Sequence, residues 1–225
     1  MSLQDRLDAL KADFEGGKLP VVPGREDLET MERATAALVA SGQAGRAAKA
    51  GDKAPEFVLN DAAGNPVSSR DLLAKGPLIV SFYRGVWCPY CNLDLQALEA
   101  VLPEFHARGT SLVAISPQSN ANSRKSQRNN SLTFPILSDS LSKVADAFGI
   151  RFALPEALIG VYLKFGNNLP VINNDPAWVL PMPARFVIGT DGVIAYAEVN
   201  PDYTRRPDPS ELLPVLDRLC HAAAA

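Results

Sequence analysis

The stretch "PLIVSFYRGVWCPYCNLDLQALEAVLPEF", Pro77 to Phe105, constrains the chain most, because it joins two incompatible periodicities across a few residues. Its opening "PLIVSFY" is an apolar run of strand length, the mark of a central strand buried on both faces. Leu93, Leu95, Leu98, Val101, Leu102 and Phe105 then form a helical stripe that ends before Gly109, with Pro103 inside it as an expected kink. At the changeover stand Cys88 and Cys91, so the chain must build a strand-to-helix junction with two thiols in the first helical turn.

That placement has chemical content. Unpaired N–H groups and the helix dipole favour an anion at a helix N-terminus, and a thiolate is such an anion. Cysteines in such settings ionise at about pH 3.5–7.5 instead of about 8.5. Residues three apart are neighbours in the first turn, so a sulfenic acid or mixed disulfide on one sulfur can be resolved by the other. Pro89 fits the first helical turn, where no N–H bond is lost, and Trp87 is placed to shield the sulfur. The first cysteine is expected at the exposed helix end and the second one turn in, where burial raises a thiol pKa, which makes Cys88 the nucleophile and Cys91 the resolving thiol.

The rest of the chain supplies a frame for this junction. Leu3, Leu7, Leu10 and Phe14 mark a first helix that stops near Gly16-Gly17, and Glu26 to about Ala40 marks a second, followed by a Gly/Ala/Lys-rich linker. Residues 1–50 read as a helical extension, either packing against the rest or serving as a dimer contact, and 51–225 as the main domain. "EFVLNDAAGNPVSS" gives two strands joined through Ala62 to Asn65. "SLVAISP", "NANSRKSQRNN", "FPILSD" and "SLSKVADAFGI", the last opened by Ser140, alternate strand with helix and argue for a largely parallel sheet covered on both sides. Arg151 to Met182, rich in Pro and Asn, reads as an excursion over the surface, with Trp178 near the cysteines. Asp191-Gly192 marks a hairpin, and Pro209 to His221 a final helix bearing Leu212, Leu213, Leu216, Leu219 and Cys220.

Composition narrows the function classes. A chain of 225 residues with 47% apolar side chains buries a full core. Its 22 basic and 25 acidic residues, net charge -3, provide no drive toward nucleic acid or an anionic membrane. "MSLQDRLDALKADF" lacks the apolar core of a secretory signal, no run has the length of a membrane span, and a cytoplasmic location is expected. Three cysteines in a reducing compartment make a redox or metal pair more plausible than a structural disulfide.

The ordered set "GDKAPEFVLND", "PLIVSFYRGVWCPYCNLDLQALE", "LVAISPQS", "FPILSD" and "ARFVIGTDGVI" resembles the alkyl hydroperoxide reductase/thiol-specific antioxidant group, specifically its peroxiredoxin-like members. The resemblance covers about Gly51 to Leu219 and implies an α/β thioredoxin-like fold, a mixed central sheet flanked by helices. Cys88-Pro89-Tyr90-Cys91 is also the tetrapeptide of many glutaredoxins. By the same resemblance Pro183 in "PMPARFVIG" matches the cis-proline facing the cysteine pair, so Met182-Pro183 is the candidate cis bond.

The chain departs from peroxiredoxins where their Pro-x-x-x-Thr/Ser-x-x-Cys would lie. Here it reads Arg84-x-x-x-Cys88-x-x-Cys91, so that overlay makes Cys91 the attacking residue, whereas the thioredoxin overlay makes it Cys88. Peroxiredoxins also use an arginine before the late strand to stabilise charge on the leaving oxygen; Pro183 holds that place, leaving Arg84 or Arg185 to serve, unless both are surface ion-pair residues. The competing reading of Trp87 and Tyr90 is as packing aromatics, and of Cys220 as a core residue.

The resemblance thus implies a thiol peroxidase that needs no cofactor or metal: Cys88 attacks a peroxide, Cys91 forms the disulfide, and a thioredoxin-like donor reduces it. The alternative is a thiol-disulfide oxidoreductase acting on protein or small-molecule disulfides. A third is a noncatalytic or zinc-binding module, with Cys220 and His221 nominally completing a set of four ligands and His106 apart from it. The expected partners are a peroxide or disulfide substrate, the reductant and a second copy of the chain.

Overall fold

The computed structural model describes residues 1–223. Helices α1 (Leu3–Glu15) and α2 (Arg25–Ala40) precede a hairpin of β1 (Val58–Asp61) and β2 (Pro66–Ser68), then the short α3 (Ser69–Leu73). β3 (Leu78–Phe82), α4 (Pro89–Ala107), β4 (Ser111–Ser116), α5 (Asn120–Asn130), β5 (Ile136–Ser138) and α6 (Lys143–Ala147) form the alternating part. Next come β6 (Arg151–Ala153), α7 (Glu156–Lys164), α8 (Leu169–Asn173) and β7 (Val179–Pro181). The hairpin β8 (Ala184–Ile188) and β9 (Ile194–Val199) and the final α9 (Leu213–Ala223) close the chain.

Seven strands form one mixed sheet in the order β2-β1-β5-β4-β3-β8-β9. Only β3, β4 and β5 run parallel to one another; the β1–β5, β3–β8 and hairpin pairings are antiparallel. The parallel expectation holds only for the strands linked by α4 and α5; short loops over residues 62–65 and 189–193 make the β1–β2 and β8–β9 pairs antiparallel. β3 is buried along its whole length, as its unbroken apolar run requires. Leu78, Val80 and Phe82 face one core with Phe148 and Phe186, whereas Ile79 faces the other, under α1, α4 and α9.

α4 runs from Pro89 to Ala107 through Pro103 as one helix. The helix expected to open at Ser140 begins at Lys143 instead. Leu141 and Ser142 adopt φ of 63° and 52°, and the Asp139 carboxylate caps the new start by accepting from Val144 and Ala145 N–H groups at 3.0 and 2.9 Å.

The N-terminal helices lie on the molecule's own core. Leu3 and Leu7 of α1 are buried against α4 and α9. α2 lies against α7, where Lys164 and Asp27 form an ion pair of 2.5 Å. The segment Arg151 to Met182 is not a surface excursion. β6 and β7 pair as a small second sheet, and Leu154, Leu158, Tyr162, Leu169 and Leu180 are buried in a cluster of their own. Its prolines and asparagines punctuate short elements, while its apolar residues supply the burial that makes them stable.

Candidate active site

The β3–α4 junction has the expected local form. Cys88 is the N-cap of α4, with φ −90° and ψ 108°, Pro89 occupies the first turn, and the Cys88 sulfur accepts from the Cys91 N–H at 3.3 Å. The sulfur therefore does what a capping oxygen does elsewhere. The preceding loop is pinned from both sides, since Val86 N–H donates to Gln118 Oε1 (2.9 Å) and Asn92 Nδ2 donates to the Val86 carbonyl (2.9 Å). Gly85 is required there: its φ is 151°, and a Cβ would lie 2.5 Å from Trp87 Nε1. Only a residue without a side chain lets Trp87 fold back over the loop.

Both thiols are free and fully buried. Cys88 is thus not at an exposed helix end: Arg84 lies against its sulfur, and Trp87 and Tyr162 pack around that guanidinium. What distinguishes the two sulfurs is charge rather than access. Arg84, 4% exposed, places Nη2 at 3.2 Å from Cys88 Sγ and donates from Nη1 to the Tyr162 hydroxyl at 2.8 Å. Its guanidinium also lies over the rings of Tyr203 (3.8 Å) and Trp87 (5.1 Å). Burial pushes the Cys88 thiol up, but the Cys91 thiol and N–H donating to it and the charge and hydrogen bond of Arg84 outweigh burial and bring it down to about 5. Cys91 moves the other way, raised by its burial and by the neighbouring Cys88 anion and only partly offset by Arg206 and Arg84.

Arg185, the other candidate, serves a different group. It pairs with Ser81 across β3–β8, and the only register shift in the β8–β9 pair lies beyond it, so it keeps the face that points under α4. There Nη2 meets Asp94 Oδ1 at 2.6 Å in an ion pair whose side chains are 2% and 4% exposed. Neither arginine is on the surface. A second guanidinium, that of Arg206, contacts the same carboxylate at 3.5 Å and reaches within 3.9 Å of Cys91 Sγ.

Met182-Pro183 is not cis; the described residues contain no cis peptide bond. The trans, extended chain lets Met182 N–H donate to the Ile150 carbonyl (2.8 Å) and the Pro183 carbonyl accept from Asn200 (3.0 Å), one on each side of the link from β7 to β8. Pro183 still borders the site, lining with Arg84, Tyr162, Tyr203, Met31 and Leu158 a largely apolar cleft of about 370 Å³. A second cleft of about 400 Å³ shares Arg84, Tyr162 and Tyr203 and adds Phe14, Trp87 and Pro89. Tyr90 is a buried packing aromatic against Tyr203, with ring centroids 5.5 Å apart. Trp178 lines neither cleft; it is half-buried on the α7 cluster, against which Trp87 also packs.

Among the described residues no group of three or more His, Cys, Asp or Glu side chains is placed to hold a metal. Cys220 is half-buried and points its thiol at the Arg108 carbonyl (3.5 Å), while His106 and His221 are exposed. No helix among the described residues is long and apolar enough to cross a membrane.

Tyr162, Tyr203, Asp94 and Arg206 were not singled out from the sequence. Asp94 had a signal: it lies three residues after Cys91 on the helix face that also buries Leu95 and Leu98, where a carboxylate demands a cationic partner. The other three come from α7 and from the loop after β9, whose positions no periodicity reports.

The chain is similar to known proteins in sequence and in fold. The sequence pattern of the AhpC/TSA family matches residues 50–197. A thiol-disulfide oxidoreductase, ResA, of Halalkalibacterium halodurans is 33% identical over 50% of this chain and 62% of its own length, so the chain spans less than two thirds of that relative. A peroxiredoxin-named protein of Mycobacterium tuberculosis is 31% identical over 67% of this chain and 84% of its own. Among solved structures, peroxidoxin BcpB of M. tuberculosis superposes with a TM-score of 0.60 at 23% identity, covering 76% of this chain and 97% of that one. The yeast mitochondrial 1-Cys peroxiredoxin does so at 0.61 and 20% identity, covering 78% of each chain. These two share the fold, a thioredoxin-like sheet, and the family pattern runs from the linker before β1 into β9, across the whole cysteine junction. The chain belongs to the AhpC/TSA family.

Proposed function

We propose that the chain is a thiol peroxidase working through a Cys88–Cys91 dithiol/disulfide cycle, with Cys88 as the attacking thiolate. The observation that carries this is the buried Arg84, which faces Cys88 Sγ at 3.2 Å and, among the described residues, pairs with no carboxylate. One cation thus both favours the thiolate and offers N–H donors beside the sulfur, where charge develops on a leaving oxygen.

In the first step the Cys88 thiolate attacks the terminal oxygen of a hydroperoxide. A sulfur–oxygen bond forms, the O–O bond breaks, and the alkoxide or hydroxide leaves, taking a proton from solvent. Cys91 then attacks the sulfenic sulfur, forming the disulfide; the hydroxide expelled takes up the proton lost by Cys91 and leaves as water. A dithiol donor of thioredoxin type reduces the disulfide and restores both thiols. Arg84 thereby stands where the peroxiredoxin pattern has proline, with Trp87 and Pro89 shaping the approach and Pro183 the cleft wall.

A thiol-disulfide oxidoreductase is the second reading, favoured by the ResA relative and the complete Cys-x-x-Cys. Burial of both sulfurs favours the first, since a protein disulfide needs in-line access to sulfur that a small peroxide does not. The test mixes reduced protein separately with hydrogen peroxide and with a peptide disulfide, following Trp fluorescence and thiol loss by mass spectrometry. Oxidation by peroxide far faster than that of free cysteine supports the peroxidase; a rate no greater, with rapid peptide-disulfide exchange, selects the oxidoreductase.

A reducing compartment, the cytoplasm, suits a pair that must return to free thiols. A homodimer through the N-terminal helices is the remaining partner proposal: Val22 and Val39, 63% and 53% exposed, are apolar side chains it would cover. Sedimentation equilibrium returning the monomer mass ends it.

A further inference from the structure

We propose that Arg206 is the group that ionises Cys91, so that each sulfur of the pair has its own arginine and the two act in succession. The inference rests on the dithiol chemistry of the Cys88–Cys91 pair and assigns a role to a residue outside the family's cysteine motif.

The geometry is specific. Arg206 lies in the loop between β9 and α9, is 6% exposed, and directs Nη2 at Cys91 Sγ over 3.9 Å while Nε faces Asp94 Oδ2 at 3.5 Å. Asp94 is one helical turn after Cys91, and its other oxygen accepts from Arg185 at 2.6 Å. A buried carboxylate beside a buried arginine already satisfied by it would be a closed pair. Here the Asp94 carboxylate is shared between two guanidiniums, with the Glu198 carboxyl, held toward its neutral form by burial, near both, so Asp94 does not by itself neutralise the arginine that also reaches the sulfur. The loop is also held in place: Arg206 N–H donates to Gln4 Oε1 of α1 at 3.1 Å, and Gln4 Nε2 approaches the Thr204 carbonyl at 3.4 Å. The N-terminal helix therefore fixes the arginine that reaches Cys91.

The groups facing Cys91 are Cys88 and Arg84 from the junction and Arg206 from the late loop, with the Tyr83 and Tyr162 phenols further out and Glu198 near Arg206 and Asp94. While Cys88 is an anion it opposes ionisation of Cys91, so one negative charge is held at a time. Oxidation of Cys88 to the uncharged sulfenic acid, or its capture in a mixed disulfide, removes that anion. The two guanidiniums then face Cys91 alone, its proton passes to solvent or to the departing hydroxide, and the thiolate attacks. The order of ionisation is built into the charges.

The test isolates the second state without peroxide. In Cys88→Ser, residue 88 is uncharged, and the Cβ shift of ¹³C-labelled Cys91 is followed against pH. Adding Arg206→Met is expected to raise the midpoint by about one unit or more, while Arg206→Lys keeps it near the Cys88→Ser value. An unmoved midpoint in Arg206→Met overturns the proposal, as does an equal rise in Arg206→Lys. Should Arg206→Met not fold, Arg206→Gln, which keeps a polar side chain beside Asp94 but removes the charge, answers the same question. In the protein with both cysteines, Arg206→Met is expected to slow disulfide formation from the sulfenic acid about tenfold at neutral pH while changing the first step by less than about threefold. Equal slowing of both steps overturns the assignment to Cys91. A protein inert to peroxide would sink the peroxidase but leave the Cys91 titration to decide Arg206.

Discussion

Arg84 and Arg185 are both buried, both adjoin the central sheet, and differ in what faces them. Arg185 meets a carboxylate, Asp94, at 2.6 Å, so its charge is answered within the fold. Arg84 meets a sulfur, a phenol and two aromatic faces, so the anion that answers it is the Cys88 thiolate. The lesson is that burial alone does not mark a functional arginine. A buried guanidinium paired with a carboxylate holds elements together, whereas one left to pair with an ionisable thiol sets that thiol's reactivity.

The comparison breaks most sharply at the sulfur. Cys88→Ser leaves Arg84 without its anion and is expected to lower peroxide turnover by at least about 1,000-fold, measured as peroxide consumed with excess dithiothreitol. Retained turnover would move the attacking role to Cys91. On the other side, Arg185→Met removes the nearer of the two arginines of Asp94 and leaves Arg206 at 3.5 Å; it is expected to cost about 1–3 kcal/mol of stability in urea unfolding, because the buried carboxylate loses its 2.6 Å donor. Arg84→Met strands no carboxylate; it is expected to raise the Cys88 pKa by about 1–3 units while costing less stability than Arg185→Met. If the two variants lose equal stability and Cys88 stays acidic, the distinction is wrong.

pH sharpens the same contrast. With Cys88 at about 5, its alkylation by iodoacetamide should be flat near neutrality and fall to half as pH drops through about 5, because protonation removes the nucleophile. In Arg84→Met that midpoint moves upward; in Arg185→Met it stays. The smallest effect belongs to Tyr162→Phe, which keeps the ring against Trp87 (5.3 Å between centroids) and deletes the hydroxyl that accepts from Arg84. A loss of about 1 kcal/mol, or roughly fivefold in first-step rate, is expected.

Much of this was legible beforehand. The apolar run Pro77 to Tyr83, the stripe on α4 and Asp191-Gly192 each depend on neighbours in sequence, and each stands where its periodicity or turn chemistry puts it. The exposed end imagined for Cys88 and the cis bond at Pro183 were not borne out, because both depend on what packs above the junction. The segment Arg151 to Met182 looked irregular, since its short elements are stabilised by a cluster gathered from residues far apart rather than by any local repeat.

The chain by itself determined the strand-to-helix junction, the spacing that brings two thiols into one helical turn, and the family they belong to, because these rest on contacts within a few residues. Only the tertiary structure decided which charge faces which sulfur. Arg84 is 4 residues from Cys88, but Tyr162 is 78 residues from Arg84 and Arg206 is 115 from Cys91. Electrostatic interaction depends on distance in space and on burial, and neither is written in the order of residues.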